Sequence, residues 1–131
     1  MRHSILFIFL VIFCEKNYAQ DKLNFIDETG SRQGKWIIYG KNLSGSCYQP
    51  DQIAEEGNYK DNNKTGAWLE YHCNKNVKSE LWYVDGKAAG PSKSYYENGK
   101  VEEEGTWKDN HWIGEYKKYT SEGDLKYIFC H

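Results

Sequence analysis

Aromatic and β-branched residues alternate with turn formers along this chain, and the alternation recurs at a fixed distance. From Gly66 the sequence reads Gly66-Ala-Trp68-Leu-Glu-Tyr71, then Val77, then Trp82-Tyr83-Val-Asp85-Gly86. From Gly90 it reads Gly90-Pro-Ser92-Lys-Ser-Tyr95, then Val101, then Thr106-Trp107-Lys-Asp109-Asn110. Gly66, Gly90 and Gly114 stand at equal steps along the chain, each glycine one full unit after the last. A fixed period of this length marks a repeat architecture.

Aligned on the first glycine of each unit, the sequence divides into a half unit at 24–33 and four units at 34–65, 66–89, 90–113 and 114–131. The third position holds Trp36, Trp68, Ser92 and Tyr116; the sixth holds Tyr39, Tyr71, Tyr95 and Tyr119. The twelfth holds Val77, Val101 and Leu125, with Ile53 once an insertion is allowed. The eighteenth holds Tyr83 and Trp107, with Tyr59 as the equivalent in unit one. Unit one is the longer because of that insertion; the extra chain lies between Lys41 and Gln52 and carries Cys47, Tyr48 and Pro50.

Each unit therefore has two short segments suited to strands, with turn formers between them. Asn98-Gly99 is a strong short-range hairpin signal, because both residues accept positive φ. Asp85-Gly86 and Asp109-Asn110 mark the return to the next unit. No stretch beyond the N-terminal twenty residues shows a helical apolar period. The pattern predicts an all-β chain of tandem β-hairpins joined edge to edge as an antiparallel meander. The leading glycines Gly34, Gly66, Gly90 and Gly114 imply either positive φ or a ring passing over a bare Cα.

The Gly-x-Trp-x-x-Tyr opening and the Tyr-x-x-Gly close, recurring four times between Asn24 and Leu125, resemble the MORN repeat family (membrane occupation and recognition nexus). The sequence is similar to the bacterial variant often described as an antitoxin component of toxin–antitoxin systems. The resemblance implies an elongated, twisted antiparallel sheet and an antitoxin-like or immunity-like role. Ser92 and the insertion in unit one depart from the family pattern. A shared fold does not by itself set an activity.

Rings at fixed positions are what stacking between neighbouring repeats requires. Trp36, Tyr39, Tyr59, Trp68, Tyr71, Tyr83, Tyr95, Trp107, Tyr116 and Tyr119 are thus the expected structural core. The third and sixth positions differ by an odd step, so in a regular strand they point to opposite faces. Either a bulge resets the alternation or one ringed face meets a partner. Three further aromatics stand off these positions. Trp82 neighbours Tyr83 and should face the other way. Trp112 stands where the other units carry Lys64 and Ala88, in a return turn. Tyr48 lies in the insertion. Exposed Trp and Tyr favour interfaces, which makes these three the candidate partner-binding residues; the competing reading folds them back onto the sheet rim.

The N-terminus adds a location. Met1-Arg2-His3 precedes an apolar run from Ser4 to Phe13, and Asn17-Tyr18-Ala19 offers a small residue for cleavage. This order predicts a secretory signal peptide at residues 1–19 and an exported single domain at 20–131. The run is too short to span a bilayer, and no second apolar run reaches membrane length. Cleavage after Ala19 would leave one small domain, and loss of Arg2, Glu15 and Lys16 would shift the formal charge from −2 to −3. No basic cluster remains to track a phosphate backbone, which argues against nucleic acid.

Export permits disulfides, and three cysteines follow residue 19: Cys47, Cys73 and Cys130. Cys47 and Cys73 fall near the hairpin ends of adjacent units, where a bond would pin the insertion to unit two; Cys130 is left over. His72-Cys73 and Cys130-His131 are adjacent pairs whose members point to opposite faces of a strand, so no metal site is expected. Glu102-Glu103-Glu104 reads as a solvated strand end. Asn42-Leu-Ser44 and Asn63-Lys-Thr65 match the glycosylation acceptor pattern. No catalytic constellation recurs, and no cofactor is expected. The expected function is non-enzymatic protein binding through one sheet face. The alternative is a cell-envelope glycan module that uses exposed rings.

Overall fold

The computed structural model describes residues 22–131, so the expected signal peptide at 1–19 lies outside the described residues. The described chain is one antiparallel sheet of ten strands. They are β1 (Phe25–Ile26), β2 (Arg32–Tyr39), β3 (Ile53–Lys60), β4 (Asn63–Tyr71) and β5 (Val77–Val84), followed by β6 (Lys87–Ala88), β7 (Gly90–Tyr95), β8 (Val101–Lys108), β9 (His111–Tyr119) and β10 (Leu125–Cys130). Spatial order follows chain order, except that β6 lies off the path and pairs with β5. This is the meander of hairpins that the repeat period predicts.

The return turns explain the sharp reversals. Asp61-Asn62, Asp85-Gly86 and Asp109-Asn110 all have positive φ at both central residues, between +47° and +78°. Their twist matches that of the flanking strands, which favours two-residue hairpins. Asn98-Gly99 differs from the expectation: only Gly99 has positive φ, at +84°. The Gly99 N–H donates to the Tyr96 carbonyl, and the Tyr96 N–H to the Lys100 carbonyl. This turn is one residue longer than a two-residue loop, with the left-handed residue as its bulge. Lys75 and Gly123 occupy the equivalent place in the neighbouring units, at φ +73° and +99°.

The question posed by the leading glycines is settled by backbone conformation. Gly34, Gly66, Gly90 and Gly114 all have φ between +65° and +82°. A Cβ on Gly66 or Gly114 would meet nothing within 4 Å, so ring contact is not the reason there. Gly66 lies within a bulge: between Asn58↔Thr65 and Glu56↔Leu69, the single residue Gly57 opposes three residues of β4. The bare-Cα requirement falls instead on Gly57, where a Cβ would overlap the Trp68 indole, and on Gly105, where it would lie 2.7 Å from Trp112.

At the join of units two and three the strand is broken into β6 and β7 around Ala89. Pro91 has no N–H to give to a ladder. The β5–β7 seam accordingly keeps only two residue pairs, Ser79↔Ser94 and Glu80↔Lys93.

In unit one, a single 3-10 turn at Gly40–Asn42 opens the insertion. Cys47 and Cys73 are disulfide-bonded, with Cα atoms 5.8 Å apart. The interior is thin. Among the described residues, the buried apolar set is Ala54, Tyr59, Trp68 and Ala88, with Gln52 as the one buried polar residue.

Candidate functional site

The two sheet faces differ in chemistry, and strand alternation assigns residues to each. One face carries a ladder of rings. Trp36, Tyr59, Trp68 and Tyr83 follow one another edge to face, with centroids 5.5, 5.1 and 6.5 Å apart. Such geometry sets the positive ring edge on the negative ring face. Two cations cap this half: Arg32 lies 4.0 Å over Tyr59, and Lys64 lies 4.0 Å over Trp68. A second run joins Trp107, Trp112 and Tyr116 at 4.1 and 4.9 Å, and Tyr116 continues to Phe129 at 6.5 Å.

The ladder is interrupted at Ser92, which stands where the other units hold an aromatic ring. The Trp107 Nε1–H donates to the Ser92 hydroxyl at 3.1 Å. A hollow of about 150 Å³ remains there, lined by Ser79, Leu81, Ser92, Ser94, Glu103, Trp107 and Trp112. The Ser94 hydroxyl is shielded from solvent and has no hydrogen-bond partner.

On the opposite face the sixth-position tyrosines meet glutamates rather than rings. Tyr71 donates to Glu56 at 2.6 Å, Tyr95 to Glu80 at 3.4 Å and Tyr119 to Glu104 at 2.6 Å. Each pair is separated by 15 residues in sequence. The same step back from Tyr39 reaches Asn24, which instead bonds both backbone groups of Ile37. The expected opposition of Trp68 and Tyr71 is therefore present. The β4–β5 register shifts between Glu70 and Tyr71, but the extra residue, Lys78, lies on β5, so this sheet has rings on both faces.

These bonds shift proton affinities in a paired way. The tyrosine hydroxyl, more than Lys35 or Lys93, holds Glu56 and Glu104 below the ordinary carboxylate range. Burial, reinforced by the Glu56 bond, pushes Tyr71 up to about 12. A carboxylate depressed in the folded state stabilises the fold above its unfolded pKa, and that contribution fades as pH falls through the folded pKa. For the raised tyrosine, stability is present below its unfolded value and fades as pH climbs from about 10 toward 12. Replacing both Tyr71 and Tyr119 by Phe should therefore flatten the loss of stability below pH 4.5, the ordinary value of these carboxylates. Urea midpoints recorded from pH 7 down to pH 3 check this; an acid limb identical to the parent's would refute it.

The same face carries several exposed apolar residues. Trp82 is 49% exposed and Ile113 40%, and Val84 lies two residues past Trp82 on the same side. A shallow groove of about 490 Å³ runs between β7 and β9, lined by Pro91, Lys93, Glu104, Thr106, Ile113 and Lys117. Trp82, on the neighbouring β5, does not line the groove; its Cβ is 3.6 Å from where a Cβ on Gly90 would lie. At one level across the strands the charges alternate in sign: Glu80 pairs with Lys93, Lys93 with Glu104, and Glu104 with Lys117. Lys93 and Glu104 also form an ion pair at 3.4 Å.

The three candidate partner-binding aromatics separate here. Trp82 projects from the groove face. Trp112 is not in the return turn; it lies in β9, packed against Trp107 and edge-on to Tyr116 on the ring face. It takes the place that Arg32 and Lys64 hold in other units, over the ring four residues on. The Tyr48 hydroxyl donates to the Tyr71 carbonyl at 2.6 Å. The sequence reading missed that Tyr48, His72 and Tyr96 form one series. His72 Nε2 lies 2.7 Å from the Tyr95 carbonyl, and Tyr96 donates to the Tyr119 carbonyl at 2.8 Å. The equal step from 48 to 72 to 96 is a signal that would have found it.

Among the described residues, no group of three or more His, Cys, Asp and Glu side chains is placed to hold a metal ion. The Glu102–Glu104 run is largely paired internally, since Lys118 meets Glu102 and Glu103 while Glu104 takes Tyr119 and Lys93. No described helix is long and apolar enough to cross a membrane.

Residues 89–109, which cover β7, β8 and the turn between them, match the family model described as MORN repeat variant. No curated protein and no solved structure matches the chain.

Proposed function

We propose, on the premise that this chain is a MORN repeat scaffold, that it is an exported, non-enzymatic protein that binds another protein through its groove face. The observation that carries this reading is that Trp82, Val84 and Ile113 are exposed on one sheet face that also holds an open groove, lined by Ile113 and charged residues, while the opposite face packs most of its rings against one another. Exposed apolar side chains beside alternating charges suit a partner segment that brings its own apolar and charged residues. MORN repeats are generally protein-binding modules, and the resemblance to the antitoxin-like variant makes an immunity-like role the specific form proposed. The N-terminal apolar run supports placing that role in the cell envelope or outside the cell.

An exposed tryptophan on a docking face should behave as a hot spot. Trp82→Ala is expected to weaken the partner complex by about 30-fold or more, the equivalent of a hot spot of about 2 kcal/mol. The measurement is capture from the protein's own cell envelope with parent and variant side by side, followed by titration of the captured partner. Absence of any captured partner, or equal affinity for both proteins, would overturn the reading.

A second reading, glycan binding, is favoured by one observation: the hollow at Ser92 sets serine hydroxyls and Glu103 beside two tryptophans. Sugars are held by such combinations of ring faces and polar groups. Titration with cell-wall fragments while following tryptophan fluorescence tests it, and an unchanged spectrum at millimolar fragment removes it.

A further inference from the structure

β10 is one edge of the sheet, with no strand beyond it among the described residues. All six of its residues are exposed, with Ile128 at 45% and Phe129 at 55%. Natural edge strands are usually blunted by shortness, proline, lysine or a bulge. The opposite edge obeys that rule, since β1 is two residues long. β10 is longer and has no proline; its one lysine, Lys126, and its bulge between Leu125 and Tyr127 both lie at the start of the strand, so Tyr127–Cys130 is left regular and open.

The register fixes which backbone groups are free. Gly114 and His131 exchange both of their N–H···O bonds at 2.9 Å. Phe129 pairs with Tyr116, two residues further along. In an antiparallel ladder the hydrogen-bonded and open positions alternate. His131 and Phe129 therefore turn their N–H and C=O toward β9, and Ile128 and Cys130 turn theirs outward.

We propose that β10 pairs antiparallel with β10 of a second copy of this chain, with Ile128 opposite Ile128 on the two-fold axis. The outward groups of Ile128 then satisfy each other as a hydrogen-bonded pair. The side-chain pattern is self-complementary about the same residue. Tyr127 falls opposite Phe129 of the second copy, and Phe129 opposite its Tyr127, so the ring ladder continues through the join. The regular part of β10, Tyr127–Cys130, supplies this register; Lys126 is the unpaired residue of the bulge that precedes it. β1 is too short to receive β10, which removes the head-to-tail alternative and leaves a closed pair.

Sedimentation velocity of the chain carrying Cys130→Ser tests this, with Ile128→Pro added in a second sample. The expected result is a monomer–dimer equilibrium that tightens with concentration and is abolished by proline. Proline at 128 removes an outward N–H and no bond to β9, so the circular dichroism spectrum should persist. A second arm holds even where the proline chain fails to fold. In a hydrogen-bonded antiparallel pair the Cα atoms lie about 5.5 Å apart, within disulfide reach. Ile128→Cys with Cys130→Ser should oxidise to a covalent dimer. The native Cys130 residues would sit roughly 13 Å apart, four residues along the strand, and should not cross-link. A monomer at every concentration, a dimer indifferent to Ile128→Pro in a folded chain, open-ended larger species, or cross-linking at Cys130 but not at Ile128→Cys would each overturn the proposal.

Discussion

Trp68→Ala is expected to lower the unfolding free energy by about 3–5 kcal/mol, the usual cost of deleting a large buried aromatic side chain. Trp68 is 2% exposed, the lowest value of any aromatic residue in the buried set. Its ring meets Tyr59 at 5.1 Å and Tyr83 at 6.5 Å, its Nε1–H donates to the Asn58 carbonyl at 3.1 Å, and it covers Gly57. A sheet with this little interior has no other side chain able to collapse into the vacated space. A domain of this size holds roughly 5–15 kcal/mol in total, so the variant should be partly unfolded on mild warming. Denaturant titration is the measurement, and Trp82→Ala is the control. Trp82 lies on the other face and is half exposed. Its loss should therefore change stability by no more than about 0.5 kcal/mol, as is usual for surface substitutions. Equal destabilisation by the two would mean that the division into a ring face and a docking face is wrong.

That division shows what the sequence contains openly and what it conceals. The repeat period, the hairpin count and the antiparallel order follow from the glycine, tyrosine and turn positions, because each unit repeats the same local instructions. Residue types that differ along a repeat position are harder to read. Arg32, Lys64 and Trp112 share no chemistry at first sight, yet each lies over the ring four residues on. Tyr48, His72 and Tyr96 likewise share one task, contact with the sixth-position carbonyl of the next unit. The insertion hid that series by shifting Tyr48 away from its place when units are aligned on their first glycine.

The tyrosines teach the complementary lesson. Four tyrosines at one position suggest ring packing, but Tyr71, Tyr95 and Tyr119 occur one per hairpin, with an intervening strand between successive rings. What lies on that strand is a glutamate, so hydroxyl-to-carboxylate bonds replace stacking. The glycines divide for a related reason. Sequence offered two explanations for one set of positions, whereas the chain uses positive φ at the leading glycines and close ring approach at Gly57 and Gly105. Gly57 and Gly105 lie two periods apart with Leu81 between them, so the position looks irregular until the rings above it are known. The β5–β7 seam, reduced to two residue pairs near Pro91, is a distortion that no periodicity describes.

Loss of the Cys47–Cys73 bond should cost about 3 kcal/mol, judged from the closure entropy of a loop of this size. The cysteines have a sequence separation of 26, and the bond ties the insertion to the end of β4. Its surroundings reinforce the tie: Tyr48 bonds the Tyr71 carbonyl, and the buried Gln52 side chain donates to the His72 carbonyl at 3.0 Å. A drop in Tm of about 10 °C or more is therefore expected for Cys47→Ala with Cys73→Ala, at roughly 4 °C or more per kcal/mol in a domain of this length. Hydrogen exchange locates the effect. The Gly40 N–H, bonded to Gln52, and the Lys41 N–H, bonded to Pro50, should lose protection before the amides of β8 and β9 do. Uniform loss of protection across the sheet would instead make the bond a global staple. A Tm unmoved by the substitutions would mean that the side-chain bonds hold the insertion alone. The dependence bears on location as well, because such a bond persists in oxidising compartments and is lost in reducing ones. A chain that needs this bond to keep its first unit closed is one whose first unit would loosen wherever thiols stay reduced, and that favours the exported setting proposed for it.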